Sequence, residues 1–126
     1  MKRSFLKWGV VIGVSCFGYQ LQQLVVCRKV VNLKPMEINS TFPATGKIYG
    51  FAELTKVEGG HTFKFVWQKK EGGKWKSYSV TTFAPPPSPR WRSYSYITAT
   101  PAKRGEWRLE LLDGTQVIGW DRFQIK

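Results

Sequence analysis

From Gly46 to Lys126 the apolar residues fall at every second position in short runs, and each run is closed by glycine, proline or an Asp-Gly pair. Thr62 to Lys69 shows the pattern best. Phe63, Phe65 and Trp67 alternate with Thr62, Lys64 and Gln68. A period of two puts one set on a buried face and the other in water, as in a half-buried strand; a helix would scatter both sets. No stretch after residue 40 carries a helical apolar stripe. Strands are expected at Lys47 to Thr55, Thr62 to Lys69, Trp75 to Phe83, Trp91 to Thr100, around Trp107 to Leu111, and at Thr115 to Lys126, with Lys47 to Thr55 the second in order if Met36 to Thr41 also pairs. Glu71-Gly72-Gly73 supplies one hairpin turn. Asp113-Gly114 predicts another, a type I′ turn in which both central residues take positive φ. Gly119 is placed to make a bulge in the last strand. Pro85 to Pro89 cannot join a ladder and reads as a connection. About seven short strands with turn signals roughly every 8–12 residues predict an all-β fold over 46–126, an antiparallel Ig-like β-sandwich. A five-stranded barrel is the rival.

The first residues have a different character. Lys2, Arg3 and Lys7 precede an uncharged run, Trp8 to Tyr19. The run has the length of a signal-peptide core and is too short to span a bilayer, which takes about 20 apolar residues. It can be lengthened through Leu24-Val25-Val26-Cys27 only by including Gln20, Gln22 and Gln23, each of which costs free energy in hydrocarbon. Residues 1–29 are therefore read as a signal peptide or membrane anchor and 30–45 as a linker. Cleavage, lipidation and retention are the three alternatives. Retention, as an anchor from Trp8 to Cys27, is the preferred one. Ser15 before Cys16 makes Cys16 a candidate lipid-attachment residue, although Gly13 stands where a larger aliphatic residue is usual. The competing view is a buried N-terminal helix.

The net charge is +12, and from Ser40 onward fourteen Lys or Arg face seven Asp or Glu. Such a surface attracts polyanions without choosing among them, and a merely solvated basic surface explains it equally well. Both cysteines, Cys16 and Cys27, lie in the first segment, so the β region holds itself together without disulfides. One histidine, His61, and scattered acids give no metal-ligand set and no nucleophile with its base. Neither a metal nor a cofactor is expected. Glu106 and Glu110 share a strand face and are the best carboxylate pair for a polysaccharide-acting enzyme, the least favoured reading.

Arg90-Trp91-Arg92-Ser93-Tyr94-Ser95-Tyr96 is the leading candidate binding strand. Arg90, Arg92, Tyr94 and Tyr96 share one face, where guanidinium and phenol groups could stack on sugars or bases and take up phosphate or carboxylate. The alternative is structural, with Trp91 in the core and Arg92 paired to Glu106 or Asp121. Lys70, Lys74 and Trp75, at the Glu71-Gly72-Gly73 turn, form a second basic candidate.

Trp91-Arg92-Ser93-Tyr94-Ser95, then Gly105-Glu106-Trp107, Asp113-Gly114 and Phe123, stand in an order that resembles a bacterial family known as a domain of unknown function. Its members carry W-R-x-Y-S, G-x-W, D-G and F in that order and often follow membrane segments. The resemblance covers Lys47 to Lys126 and gives Trp67, Trp91, Gly105, Trp107, Asp113, Gly114 and Phe123 as its structural motif. Where the family reads H-x-W, this chain has Phe65-Val66-Trp67. The resemblance implies an envelope-associated β domain and no activity. Together these features predict a non-enzymatic binding module, membrane-anchored with an extracytoplasmic domain, whose partner is an envelope protein or anionic polymer. A basic, aromatic nucleic-acid-binding barrel is the alternative, and the targeting segment argues against it.

Overall fold

The structure, a computed structural model, describes residues 15, 16 and 18–126. It is all-β, with two sheets packed face to face. The strands are β1 (Ser15–Cys16), β2 (Tyr19–Val31), β3 (Lys34–Ile38), β4 (Thr41–Phe42), β5 (Gly46–Val57), β6 (Phe63–Glu71), β7 (Lys74–Phe83), β8 (Ser88–Ala99), β9 (Gly105–Asp113) and β10 (Gln116–Ile125). Sheet A has the order β1-β2-β5-β8, with β3 also on β2; sheet B has the order β4-β10-β9-β6-β7. Every pairing is antiparallel except β4 with β10. This is an open two-sheet sandwich and not a closed barrel.

The largest departure from the sequence reading lies at 19–45. Tyr19 to Cys27, the second half of the expected anchor, is strand, and β2 pairs with β5 from Gln20 to Cys27. Leu24 and Val26 are buried in the common core. The three glutamines that weighed against a membrane span sit on the outer side, where Gln22 Nε2 donates to Thr55 Oγ1 at 3.1 Å. The ladder slips between Leu21 and Gln23. That bulge spaces the inward residues Leu21 and Leu24 by three and hides the period of two. Val25 and Cys27 alternate to the opposite face and are buried as well, which produces the continuous apolar run. The expected linker also belongs to the sheets. It contains β3, an edge strand that accommodates Pro35, and β4. The remainder of the predicted anchor, residues 1–14 and Phe17, lies outside the described residues, as does the Cys16 side chain.

Within 46–126 the expected strands are present. The Asp113 turn is displaced by one residue. Asp113 stays in the ladder opposite Gln116 and Phe63, and only Gly114 takes a positive φ, 62°. The carboxylate explains this: Asp113 Oδ2 accepts from Tyr19 OH at 2.8 Å and lies 2.9 Å from His61 Nδ1. The bulge in β10 falls between Val117 and Gly119. It leaves Trp120 and Arg122 pointing outward and Asp121 and Phe123 inward.

Trp67, Trp107 and Phe123 fill the core, with Phe123 5.8 Å from the Trp67 ring and 6.1 Å from that of Trp107. Trp67 Nε1 donates across the core to Ser95 Oγ at 3.0 Å, and Trp107 Nε1 donates to the Lys103 carbonyl at 2.8 Å. Gly50 of β5 faces this cluster, and a Cβ there would collide with Leu109 and touch Trp67. At the edge where β2 meets β10, the buried Asp121 accepts the Val26 N–H at 3.0 Å. A buried N–H without an acceptor would cost about 1–3 kcal/mol, so this side chain closes that seam.

Candidate functional site

The pairing of β5 with β8 determines which residues stand beside the Arg90 strand. Its register sets Tyr49 opposite Tyr96, Glu53 opposite Arg92 and Thr55 opposite Arg90. Alternation then carries Arg90, Arg92, Tyr94 and Tyr96 to the outer face of sheet A, as the sequence predicts, while Ser95 and Ile97 face the core. Tyr94 and Tyr96 are each 48% exposed. Tyr49, which sequence reasoning overlooked, lies between them, with ring centroids 5.9 Å from Tyr94 and 5.5 Å from Tyr96. Lys47 Nζ rests 4.5 Å from the Tyr96 ring centroid. Three phenols and an ammonium group thus form one exposed aromatic strip.

At the other end of the strip Glu53 takes both arginines, 3.0 Å from Arg90 Nε and 3.9 Å from Arg92 Nε. Arg92 therefore pairs with Glu53 and not with Glu106 or Asp121. One carboxylate between two guanidinium groups leaves one positive charge in excess. Beside them is a hollow of about 340 Å³ lined by Leu33, Ser88, Arg90, Trp91 and Arg92. Leu33 belongs to the β2–β3 turn, in the stretch expected to be linker. Trp91 packs against the core as expected. Its Nε1 is buried and has no hydrogen-bond partner among the described residues. A donor of this kind gains by meeting an acceptor, since burying it alone costs about 1–3 kcal/mol.

Lys70, Lys74 and Trp75 lie on the other sheet, so the sequence candidates divide between two faces. Gly72 and Gly73, both with positive φ, make the β6–β7 turn. Trp75 sits opposite Lys70. Its ring receives Arg108 at 4.5 Å, and Lys70 and Arg122 at 5.7 Å each. Arg108 also meets Gln68 Oε1 and Glu110, and Lys70 lies 3.9 Å from Glu106. Glu106 and Glu110 do share this outer face. Four residues of strand place them about 13 Å apart. Glycosidase carboxylate pairs stand about 5–9.5 Å apart, so this pair does not have that geometry. Lys74 is exposed at the turn.

His61 precedes β6 and joins Asp113 and Tyr19 in a part-buried polar cluster, with the Tyr19 and His61 rings 5.0 Å apart edge to face. Nothing in local sequence joins residues so far apart; the β6–β9 register brings His61 to Asp113, and the packing of β2 against sheet B adds Tyr19. Among the described residues no three His, Cys, Asp or Glu side chains gather as a metal site. No helix among them is long and apolar enough to cross a membrane.

These features define a small β-sandwich whose two outer faces carry separate cationic and aromatic clusters. The chain belongs to the family described as "Protein of unknown function (DUF2914)", whose model matches residues 61–125. No curated protein matches it. Among solved structures it is similar to a β-glucosidase from Listeria innocua in complex with gluconolactone, with a TM-score of 0.51 and 6% identity over 85% of this chain and 15% of that one. The same enzyme in complex with isofagomine gives a TM-score of 0.52 at 6% identity, over 85% and 16%. The chain thus spans about 15% of the length of that enzyme. At this identity the likeness is one of fold alone.

Proposed function

We propose that this protein is an Ig-like binding module, without catalytic activity, that works outside the cytoplasm and engages an envelope protein or polymer through the outer face of sheet A. The strand orders β2-β5-β8 and β10-β9-β6-β7 support the Ig-like description. The carrying observation is the juxtaposition of the Tyr49, Tyr94 and Tyr96 strip with the hollow at Arg90, Trp91 and Arg92. Exposed aromatic rings supply contact area at small entropic cost, and the excess guanidinium charge supplies direction. The N-terminal basic residues and the apolar run before β2 support export. An anchor continuing to Cys27 is not part of this proposal, because Tyr19 onward is used by the sandwich.

Two measurements test it. Fractionation of cells expressing the full chain, with protease added before and after the outer barrier is opened, should show cleavage only outside the cytoplasm. A photoreactive phenylalanine analogue at Tyr94 should give a discrete cross-linked product in those cells, whereas the same analogue at Tyr78 on sheet B should not. A protein confined to the cytoplasm, or equal cross-linking from both positions, overturns the reading.

A further inference from the structure

The outer face of sheet B holds an arginine without a counter-ion among the described residues. Arg122 is exposed on β10, and Arg108 is its direct cross-strand neighbour. Two like charges placed opposite one another destabilise a sheet unless they are otherwise engaged. Arg108 is engaged by Gln68 and Glu110. Arg122 has no carboxylate within 4 Å among the described residues and is held by indoles alone, 5.7 Å from the Trp75 ring and 5.5 Å from that of Trp120. The indoles orient the guanidinium group and leave its hydrogen-bond donors unsatisfied by any anion.

The surroundings narrow what could fill this place. Trp120, Arg122 and Gln124 follow one another outward along β10, a line of about 13 Å. Trp120 is 39% exposed. Arg122 and Gln124 line an open hollow of about 220 Å³ with Ser40, Thr41 and Glu106. One free guanidinium matches one carboxylate, to which it can donate two parallel bonds. Glu106 in the same hollow opposes a doubly charged phosphate and tolerates a singly charged group. The hydroxyls of Ser40 and Thr41 and the Gln124 amide suit a ligand rich in hydroxyl groups. The exposed indole suits a flat face of C–H bonds. We propose that the β10 side of sheet B binds a carboxylated glycan, with Arg122 taking the carboxylate, Trp120 stacking on a sugar ring, and Gln124, Ser40 and Thr41 meeting hydroxyl groups. The site shares no residue with the sheet A face, so either can fail without the other.

The full chain is titrated with polygalacturonate, and with neutral dextran, polyglutamate and polyphosphate as comparisons. Polygalacturonate should bind, dextran should not, and the two other polyanions should bind more weakly. Arg122→Gln and Trp120→Ala should each weaken polygalacturonate binding about tenfold or more, the losses expected for one charge-assisted hydrogen-bonded contact and for one stacked aromatic ring. Lys34→Gln, on the exposed edge strand β3 of sheet A, should leave it unchanged. Both substituted residues on sheet B are exposed, and an unchanged thermal transition checks that the fold is retained. Three results would each overturn the assignment: no binding to polygalacturonate, equal binding to all three polyanions, or equal losses from Lys34→Gln and Arg122→Gln. A loss in Arg122→Gln with none in Trp120→Ala overturns the glycan in favour of a bare anion site.

Discussion

If Tyr19 to Val31 is a strand of the sandwich, then shortening a side chain in it must weaken the fold. Leu24 is the sharpest place to ask. It is 1% exposed, lies in the shared core, and stands opposite Ala52 of β5. Leu24→Ala removes three carbon atoms from a packed site. At about 0.8 kcal/mol per buried methylene the transfer loss is roughly 2.4 kcal/mol. The residual cavity raises it, and measured Leu→Ala losses in cores run about 2.7–5 kcal/mol. About 3 kcal/mol is therefore expected, against the roughly 5–15 kcal/mol that holds small domains folded. Urea denaturation of the full chain, followed by tryptophan fluorescence, reads the difference. With a slope of about 1.5 kcal/mol per molar urea, the midpoint should fall by about 2 M. Gln22→Ala, outward on the same strand, should move it far less, by roughly 0.5 kcal/mol or under. An anchor that merely tethers the domain predicts no shift for Leu24→Ala. A change below about 0.5 kcal/mol would refute the placement of β2 in the core.

Two other predictions follow from the same packing. Gly50→Ala drives a methyl group into Leu109 and against Trp67 between the sheets; it should cost about 1–3 kcal/mol, checked by the same urea curve, and a neutral outcome would mean that the sheets do not approach as closely as described. A fragment of residues 61–126 should show no cooperative thermal transition and should bind a hydrophobic dye, since it keeps β8 without β5, its only ladder partner among the described residues; a sharp transition in that fragment would show that sheet A is dispensable.

The portion of the fold legible in sequence was the portion with unbroken alternation. β9 alternates without interruption and β6 does so except at Val66, which is buried on its outer side, so Trp67 and Trp107 could be assigned to the core directly. β2 was obscured twice, by a bulge at Gln22 that breaks the period and by burial of Val25 and Cys27 on its second face. A run that is apolar on both sides carries no period, and a basic residue at each end then imitates a membrane segment. Asp113 was read as a turn residue because Asp-Gly is a strong local signal; its bonds to Tyr19 and His61 are long-range and prevail. In the candidate sites, β8 showed its own two faces. Tyr49, Glu53 and Leu33 came into view only with the β5–β8 register and the β2–β3 turn, and Arg122 only when Glu110 could be seen to meet Arg108 and Glu106 to lie by Lys70.

The family match and the folding unit also cover different ground. Residues 61–125 include all of sheet B except β4, together with β8. They exclude β2 and β5, which carry Leu24, Val26, Ile48 and Leu54 of the same core. A four-stranded sheet with Phe63, Phe65, Trp67, Trp107 and Leu109 on one side cannot leave that side in water, so another sheet must cover it. In this chain the cover is made by residues whose pattern is weakest, and it is tied down at the seams. Val26 N–H meets Asp121, Tyr19 meets Asp113, and Ser95 of β8 receives the Trp67 indole. Each tie joins a strongly patterned strand of sheet B to a strand of sheet A through a side chain that must be buried and satisfied at once. Such contacts demand particular residues on sheet B while asking of β2 little more than apolar bulk, a backbone N–H and one phenol hydroxyl at its start. That difference accounts for a recognisable second half and an N-terminal strand that reads as something else.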